Sequence, residues 1–143
     1  MVDRDLVTRK LAMIVDDLRA VTPIADKPID EYLASATDEL VTERYLERMI
    51  GRMIDVNYHV ITASGQPPPA DYHTSFLKLA DLGILDADFA RRIARAAGLR
   101  NRLVHDYEDL DQVVVFEALE DALRDLPVYL ARLNAYVKGG PIL

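Results

Sequence analysis

The chain of 143 residues contains no cysteine and only three histidines. Without cysteine the protein can form no disulfide bond, cannot use a thiol as a nucleophile and cannot bind a metal through thiolates. Three scattered histidines are also a poor set of zinc ligands. The sequence therefore predicts a protein that uses neither a metal nor a cofactor.

Long apolar segments are lacking as well. No run approaches the roughly eighteen consecutive apolar residues of a membrane-spanning helix. The N-terminal segment, residues 1–21, carries acidic side chains early and has no apolar stretch followed by small residues, so it differs from a secretory signal peptide. We expect a soluble, cytoplasmic protein without membrane contact, folded as one helical domain over residues 1–143.

Positive charge is scarce over most of the chain, which has a net charge of −7. This balance argues against a broad surface for nucleic acid, because phosphate binding needs clustered lysines and arginines. The segment between Phe89 and His105 is the exception, since it contains five arginines and no acidic residue. That segment contributes +5, so the remainder must carry −12 to give the total of −7. The positive charge is therefore local.

Apolar residues recur at helical spacing along nearly the whole chain, and no convincing strand-like alternation is present. We predict an all-α fold, an up-and-down bundle of about five helices with no sheet. The predicted helices cover approximately residues 7–23, 38–63, 72–82, 86–105 and 116–137, with a short helical turn at 29–33. Asp86 is expected to cap the fourth of these helices, and Gly83 to follow the end of the third. The valines at 113–115 allow a strand, but they lead directly into the last helical pattern.

One cation interrupts the apolar pattern of the predicted helix 86–105. Arg100 falls in the middle of the apolar face that Phe89, Ile93, Ala96 and Leu103 define. An unpaired buried guanidinium costs several kcal/mol, so this side chain needs a partner, a water-filled cleft or an oligomer interface. A structural ion pair with an acid from another helix is as good an explanation as a functional site.

Asn101 and His105 follow Arg100 on the same predicted helix. His105 lies five residues later, about 140° around the helix, so Arg100 and His105 do not face each other. Asn101 and His105 are four residues apart and do share a face. A histidine near a helix C-terminus is often only a capping residue, so the helix geometry alone does not assign a function to His105.

The segment Arg100-Asn-Arg-Leu-Val-His105-Asp-Tyr107 matches the R-x4-H-x-Y pattern of the HEPN superfamily. The chain resembles the HepT-like branch of that superfamily over nearly its whole length. The similarity extends to Arg44-Tyr-Leu-Glu-Arg48, to Asp55-Val-Asn-Tyr-His59, to Pro69, Tyr72, Phe76 and Leu79, and to Gly83-Ile-Leu85.

The resemblance implies a fold and an activity. HepT-like proteins are helical bundles that form two-fold homodimers, and the R-x4-H segments of both protomers line one cleft. Active members cleave RNA without a metal, and they are toxins whose partner is a nucleotidyltransferase antitoxin of the MntA type. By this resemblance the chain is a metal-independent endoribonuclease toxin with RNA as its substrate.

The resemblance also implies roles for individual residues. Arg100 would stabilise charge on the phosphoryl oxygens, and His105 with its copy from the second protomer would supply the base and the acid. Asn101 would orient the imidazole or the phosphate. Tyr107 would be the residue to which the antitoxin attaches AMP groups, although a tyrosine that only closes the bundle is the simpler alternative.

The sequence gives weaker support for a functional role of the other polar residues. Arg91, Arg95 and Arg102, on the side of the helix opposite Arg100, could guide the RNA backbone or simply form a solvated helix face. Asp55 and His59 are one helical turn apart and resemble polar positions of the family, but a surface pair is the simpler explanation. His73 is expected to lie at a helix start or on the surface.

Two further functions remain open at this point. The chain could be a non-catalytic helical subunit that binds a nucleotide or presents a substrate to a nucleotidyltransferase, with the same positive cleft. It could also be a plain dimerisation bundle in which Arg100 forms an interface ion pair. The complete motif favours the ribonuclease over the non-catalytic subunit.

Overall fold

The computed structural model describes residues 1–139, apart from the side chain of Tyr107. These residues form α-helices and one 3₁₀ turn, Tyr107–Asp109, and they contain no strand. The helices are α1 (Arg4–Ala25), α2 (Ile29–Leu33), α3 (Ala36–Ala63), α4 (Tyr72–Asp81), α5 (Ala87–Ile93), α6 (Arg95–His105) and α7 (Gln112–Val137). The predicted all-α architecture is confirmed, and the valines at 113–115 lie in the first turn of α7.

Most helices begin at a side chain that caps the first turn. The side chains of Asp3, Ser35, Asp71, Asp86 and Asp111 each accept a hydrogen bond from a backbone N–H two or three residues later. Such caps satisfy donors that have no partner within the helix, and each contributes about 1 kcal/mol. The predicted cap at Asp86 is confirmed.

The predicted glycine after α4 is also confirmed. Gly83 has a φ of 76°, a conformation that glycine adopts without steric cost. The backbone N–H of the next residue, Ile84, donates to the Leu79 carbonyl oxygen at 2.9 Å and closes the helix end.

Residues 1–139 form seven α-helices rather than about five, partly because the predicted helix 86–105 divides at Ala94. The backbone of Ala94 stays right-handed, with φ −60° and ψ −22°. The N–H of Ala97 donates to the Ala94 carbonyl oxygen three residues earlier, at 3.1 Å. The chain therefore tightens for one turn and continues as α6. The first helix also differs slightly, since α1 extends past Pro23 to Ala25.

Three long helices carry the core. α3 packs against α1 and α7, and α1 also packs against α7. Their buried faces contribute fully or almost fully buried side chains, among them Val7, Ile14, Met49, Val60, Leu119 and Leu133. Replacing a buried leucine of this kind by alanine costs about 2–5 kcal/mol, so this interface contributes strongly to the stability of the bundle.

A buried hydrogen-bond network joins α7, α3 and α4. The Tyr129 hydroxyl donates to Asn57 Oδ1, with an oxygen–oxygen distance of 2.6 Å, and Asn57 Nδ2 donates to Ser75 Oγ at 3.1 Å. Burial raises the pKa of Tyr129 well above its ordinary value. The network fixes α4 on α3. Because α6 packs against both of these helices, the network also helps to position α6.

Within residues 1–139, no helix is both long and apolar enough to cross a membrane.

Candidate active site

The inward face of α6 carries Arg100 between two buried residues. Ala97 and Leu103, three positions before and after it, are 3% and 5% exposed, which places Arg100 on the same side of the helix. Arg100 itself is only half-buried. The predicted inward position is therefore correct, and a cleft at this point keeps the guanidinium accessible.

This cleft, which we call the arginine–tyrosine cleft, has a volume of about 570 Å³. Residues of α1, α3, α4 and α6 line it: Lys10, Glu47, Arg48, Gly51, Arg52, Ile54, Asp55, Tyr58, Tyr72 and Arg100. Volumes of 300–1,000 Å³ are typical of ligand sites in proteins.

Arg100 meets an aromatic ring in this cleft. Its Cζ atom lies 5.2 Å from the centroid of the Tyr72 ring, within the range of a cation–π interaction. Tyr72 in turn lies edge-on to Tyr58, with ring centroids 6.0 Å apart and an angle of 80° between the planes. Among the described residues, no carboxylate forms an ion pair with Arg100. A structural ion pair within residues 1–139 is therefore not what holds this arginine.

The other cations of the cleft are held by acids. Lys10 Nζ lies 2.9 Å from Asp55, while Arg48 and Arg52 contact the two carboxylate oxygens of the buried Asp17 at 3.3 and 2.6 Å. The lining contains four cationic and two acidic side chains, whereas the whole chain has a net charge of −7. The cleft is thus locally positive on an acidic protein.

The tyrosines of the cleft differ in environment. Partial burial, with smaller contributions from Tyr72 and Asp71, raises the pKa of the Tyr58 hydroxyl above its ordinary value. Tyr58 therefore stays protonated at neutral pH and can donate a hydrogen bond. Tyr72 is exposed at the first position of α4.

His105 and Asn101 lie on the outer side of α6. Both side chains are exposed, and neither has a hydrogen-bond partner within the described part of the chain. His105 is the last residue of α6 and does not line the arginine–tyrosine cleft. One protomer therefore does not bring Arg100 and His105 into one cleft, in agreement with the 140° between them on the helix.

Comparison with known proteins identifies the family. Residues 4–133 match the family described as "Ribonuclease HepT-like". A protein named tRNA nuclease HepT, from Aphanizomenon flos-aquae, is 33% identical over 132 residues, which cover 92% of this chain and 90% of that protein. The chain belongs to the HepT-like ribonuclease family. The resemblance inferred from the R-x4-H-x-Y segment is confirmed, and the class of the enzyme is a ribonuclease.

Other HepT-like relatives are more distant. An mRNA nuclease HepT from Shewanella oneidensis is 26% identical over 90 residues, covering 63% of this chain and 68% of that protein. The structure of a tri-AMPylated HEPN toxin from S. oneidensis, solved in complex with an MNT antitoxin, superposes with a TM-score of 0.82 at 21% identity, covering 94% of this chain and 99% of that one. YutE, a cytosolic protein of unknown function from Bacillus subtilis, gives a TM-score of 0.83 at 19% identity, covering 99% and 96%. These two structures establish that the fold is shared.

The tyrosine of the HepT-like motif lies just beyond α6. The backbone of Tyr107 begins the 3₁₀ turn that links α6 to α7. Its side chain is outside the described part of the structure, and so is the expected modification of its hydroxyl.

The three arginines expected to guide RNA fall into two kinds of environment. Arg91 forms an ion pair with Asp88 on α5. Arg95 and Arg102 are exposed, and they border a second hollow of about 460 Å³ between α3, α5, α6 and α7. None of the three lines the arginine–tyrosine cleft.

The remaining polar candidates bind other parts of the bundle. His59 Nε2 accepts a hydrogen bond from the Asp3 N–H at 2.8 Å, and Asp55 pairs with Lys10, so both side chains tie α3 to α1. His73 is exposed near the start of α4, and its Nδ1 lies 3.3 Å from the Ala94 carbonyl oxygen. Within residues 1–139, no three histidine, aspartate or glutamate side chains are grouped as metal ligands.

Sequence reasoning did not identify most residues of the cleft. Lys10, Arg48, Arg52, Tyr58 and Tyr72 line it, although none of them was proposed as a site residue. Two signals were available: the i, i+4 spacing of Arg48 and Arg52, which places both guanidinium groups on one face of α3, and the family resemblance of the segments that contain Arg48, Tyr58 and Tyr72.

Proposed function

We propose that the protein is a metal-independent endoribonuclease toxin, active as a homodimer and inhibited by a nucleotidyltransferase antitoxin of the MntA type. Membership of the HepT-like family supports the nuclease activity. The relatives named tRNA nuclease and mRNA nuclease support RNA as the substrate class. The proposal includes a single domain over residues 1–143 and a cytoplasmic location.

Arg100 is the observation that carries the proposal. It is a half-buried cation that opens into a positive cleft and has no carboxylate partner among the described residues. A guanidinium in this setting gains by binding an anion, and its planar donors match the oxygens of a phosphate. In the reaction Arg100 stabilises negative charge that develops on the phosphoryl oxygens.

Cleavage requires two proton transfers. The ribose 2′-oxygen attacks the adjacent phosphorus while a base removes its proton, and the bond to the 5′-oxygen breaks as an acid protonates that oxygen. The products are a 2′,3′-cyclic phosphate and a 5′-hydroxyl. Histidine suits both roles because its pKa lies near neutrality, but one imidazole cannot fill both at once.

A two-fold dimer resolves this difficulty. His105 is exposed at the end of α6 and points away from the arginine–tyrosine cleft of its own protomer. In a dimer with α6 near the axis, each protomer contributes one His105 and one Arg100 to a composite cleft. Asn101, one turn before His105 on the exposed side of α6, orients the imidazole or the phosphate.

Inhibition by the antitoxin uses the tyrosine of the motif. We assign Tyr107 as the residue that receives AMP groups, which would add negative charge and bulk close to the end of α6. The similar fold of a tri-AMPylated toxin in complex with an MNT antitoxin supports AMP as the attached group, and the place of Tyr107 in the R-x4-H-x-Y motif supports the choice of residue.

The test is RNA cleavage by the purified protein in excess EDTA. We expect wild type to produce 2′,3′-cyclic phosphate ends, Arg100→Ala to lose roughly 10²–10³-fold in rate, and His105→Ala roughly 10²–10⁴-fold. Arg44→Ala, which removes an exposed arginine paired with Glu47, and His73→Gln are matched controls and should retain activity.

Equal rates for wild type and both site variants would overturn the catalytic assignment. Loss of activity in EDTA, with recovery on addition of a divalent metal, would overturn metal independence. RNA or nucleotide binding by wild type without any cleavage would instead support the non-catalytic subunit.

A further inference from the structure

Tyr72 is an exposed aromatic residue at the mouth of a positive cleft. Tyr72 is 38% exposed although it carries a large ring, and that ring contacts the Arg100 guanidinium and lies T-shaped against the Tyr58 ring. A tyrosine that served only to fill the bundle would be buried, as Tyr32 and Tyr129 are at 0% exposure. Exposed aromatic rings beside arginines are the usual platform on which proteins stack unpaired nucleobases.

The cleft also offers donors for a phosphate. Arg52 donates one hydrogen bond to Asp17, and Arg48 Nη2 lies 3.3 Å from the same carboxylate, whereas each guanidinium carries five N–H donors. Both arginines line the cleft with part of their surface accessible, at 39% and 19% of the side chain. Asp17 thus holds the two cations at the cleft without using all of their N–H donors, and Arg48 also lies over the Tyr45 ring, with its Cζ 5.3 Å from the ring centroid.

The geometry points to a nucleotide-binding subsite in the arginine–tyrosine cleft: an unpaired base of single-stranded RNA stacks against Tyr72, and its phosphate binds Arg48 and Arg52. The subsite adjoins Arg100, so the bound nucleotide flanks the phosphate that is cleaved. This inference rests on the proposed function, because it supplies the substrate-binding part of the same site. The cleft volume of about 570 Å³ is sufficient for one nucleotide.

The subsite has a consequence for substrate choice. A base must leave its helical stack to reach the Tyr72 ring, so RNA loops and ends bind and continuous duplex does not. Stacking alone does not distinguish between bases. The protonated Tyr58 hydroxyl supplies one hydrogen-bond donor, which favours bases that carry an acceptor on the edge facing Tyr58.

The test measures RNA binding in the His105→Ala variant, which removes cleavage from the assay. Short single-stranded RNAs, each with an abasic site at one position, are titrated with this protein and with the same protein carrying Tyr72→Leu. We expect Tyr72→Leu to weaken binding of intact RNA about tenfold and Tyr72→Phe to preserve it. When the abasic site falls at the nucleotide that stacks on Tyr72, it should weaken binding to the protein with Tyr72 by a similar factor. The same abasic RNA should bind the Tyr72→Leu protein as tightly as intact RNA does.

Several outcomes would overturn the subsite. Unchanged RNA binding by Tyr72→Leu would overturn it. Independent effects would overturn it as well: at every position of the abasic site, the loss of affinity with both changes would equal the product of the two separate losses. In the cleavage-competent protein, Tyr72→Leu should raise KM and leave kcat within a few-fold. A fall in kcat with unchanged KM would mean that Tyr72 merely positions Arg100, and the inference would fail.

Failure of the inference differs from failure of the proposed function. If wild type cleaves RNA in EDTA while Tyr72 and the abasic sites show no coupling, only the subsite is wrong. If the coupling is present while wild type never cleaves, the nuclease mechanism is wrong and the bound nucleotide belongs to a binding protein.

Discussion

Two buried carboxylates each hold two arginines, whereas Arg100 in the same bundle lies against an aromatic ring. Asp17 of α1 contacts Arg48 and Arg52 of α3. Asp125 of α7 accepts hydrogen bonds from Arg92 of α5 and from its neighbour Arg124. Both aspartates are at most 5% exposed, so neither can exchange its arginines for water at low cost.

The difference shows what each kind of arginine contributes. A buried aspartate without its cations would cost several kcal/mol. Arg48, Arg52 and Arg92 therefore tie helices together, whereas Arg124 pairs with its neighbour within α7. The contact of Arg100 with Tyr72 is worth about 0.5–1 kcal/mol at a partly exposed site, and it leaves the charge uncompensated. Within the described residues, Arg100 therefore presents an uncompensated positive charge to an incoming anion, whereas Arg48 and Arg52 can offer only the N–H donors that Asp17 does not use.

Removing a buried aspartate should leave its two arginines unpaired and should have the largest effect on stability among these predictions. We expect Asp17→Ala to lower the free energy of unfolding by about 2–4 kcal/mol, because two guanidinium groups lose their shared partner. Urea denaturation measures the change. Asp16→Ala, at the exposed neighbouring position, is the matched control and should cost less than about 0.5 kcal/mol. Equal costs for the two variants would show that the pairing does not stabilise the bundle.

The second buried carboxylate, Asp125, makes part of the stability of the bundle depend on pH. Burial alone would raise the pKa of Asp125, but the hydrogen bonds and charges of Arg124 and Arg92 outweigh burial and hold that pKa below its ordinary value. A carboxyl whose pKa is lowered on folding stabilises the protein above its unfolded pKa of about 3.9, and the stabilisation disappears as the pH falls through the folded value.

We therefore expect Asp125→Asn to cost about 1–3 kcal/mol at pH 7, and the difference from wild type to shrink toward zero at pH values well below 4. Denaturation at a series of pH values measures this. Asp121→Asn removes an exposed partner of Arg124 and should cost under about 1 kcal/mol throughout. A difference between Asp125→Asn and wild type that persisted unchanged at pH 2 would contradict the assignment.

The fold and the odd position of Arg100 were accessible from sequence because both depend on local periodicity. The spacing of Leu119 and Leu133 along α7, like that of Val7 and Ile14 along α1, records which face is buried. The same rule placed Arg100 on the inward face of α6. Caps such as Asp86 follow from short-range hydrogen bonding, which the sequence displays directly.

The surroundings of Arg100 were not accessible in this way. Tyr72 is 28 residues earlier in the chain and Arg52 is 48 residues earlier, and only the packing of α3 and α4 against α6 brings them together. Helical periodicity gives the direction of a side chain around its own axis but not the residue opposite. The break at Ala94 was also missed, because Ala94 has helical dihedral angles and no glycine or proline marks the change of hydrogen bonding.

The exposed arginines of the 89–105 segment allow the same comparison of paired and unpaired cations at the surface, where the expected effect on RNA binding is the smallest. Arg102 is exposed with no carboxylate partner among the described residues, whereas Arg91 is exposed and paired with Asp88. If RNA passes along this face, Arg102→Ala should reduce the dependence of binding on log salt concentration by about one phosphate contact. Arg91→Ala should change it less, because Asp88 already compensates that charge.

The measurement is RNA binding by the His105→Ala variant at several salt concentrations, with Arg102→Ala or Arg91→Ala added. Each substitution should alter the free energy of unfolding by no more than about 0.5 kcal/mol, since both side chains are exposed. Equal salt slopes for both variants and the parent would show that RNA reaches Arg100 without crossing this face. The positive charge of the segment would then act on RNA only through the arginine–tyrosine cleft, where a half-buried cation is screened far less by salt than an exposed one.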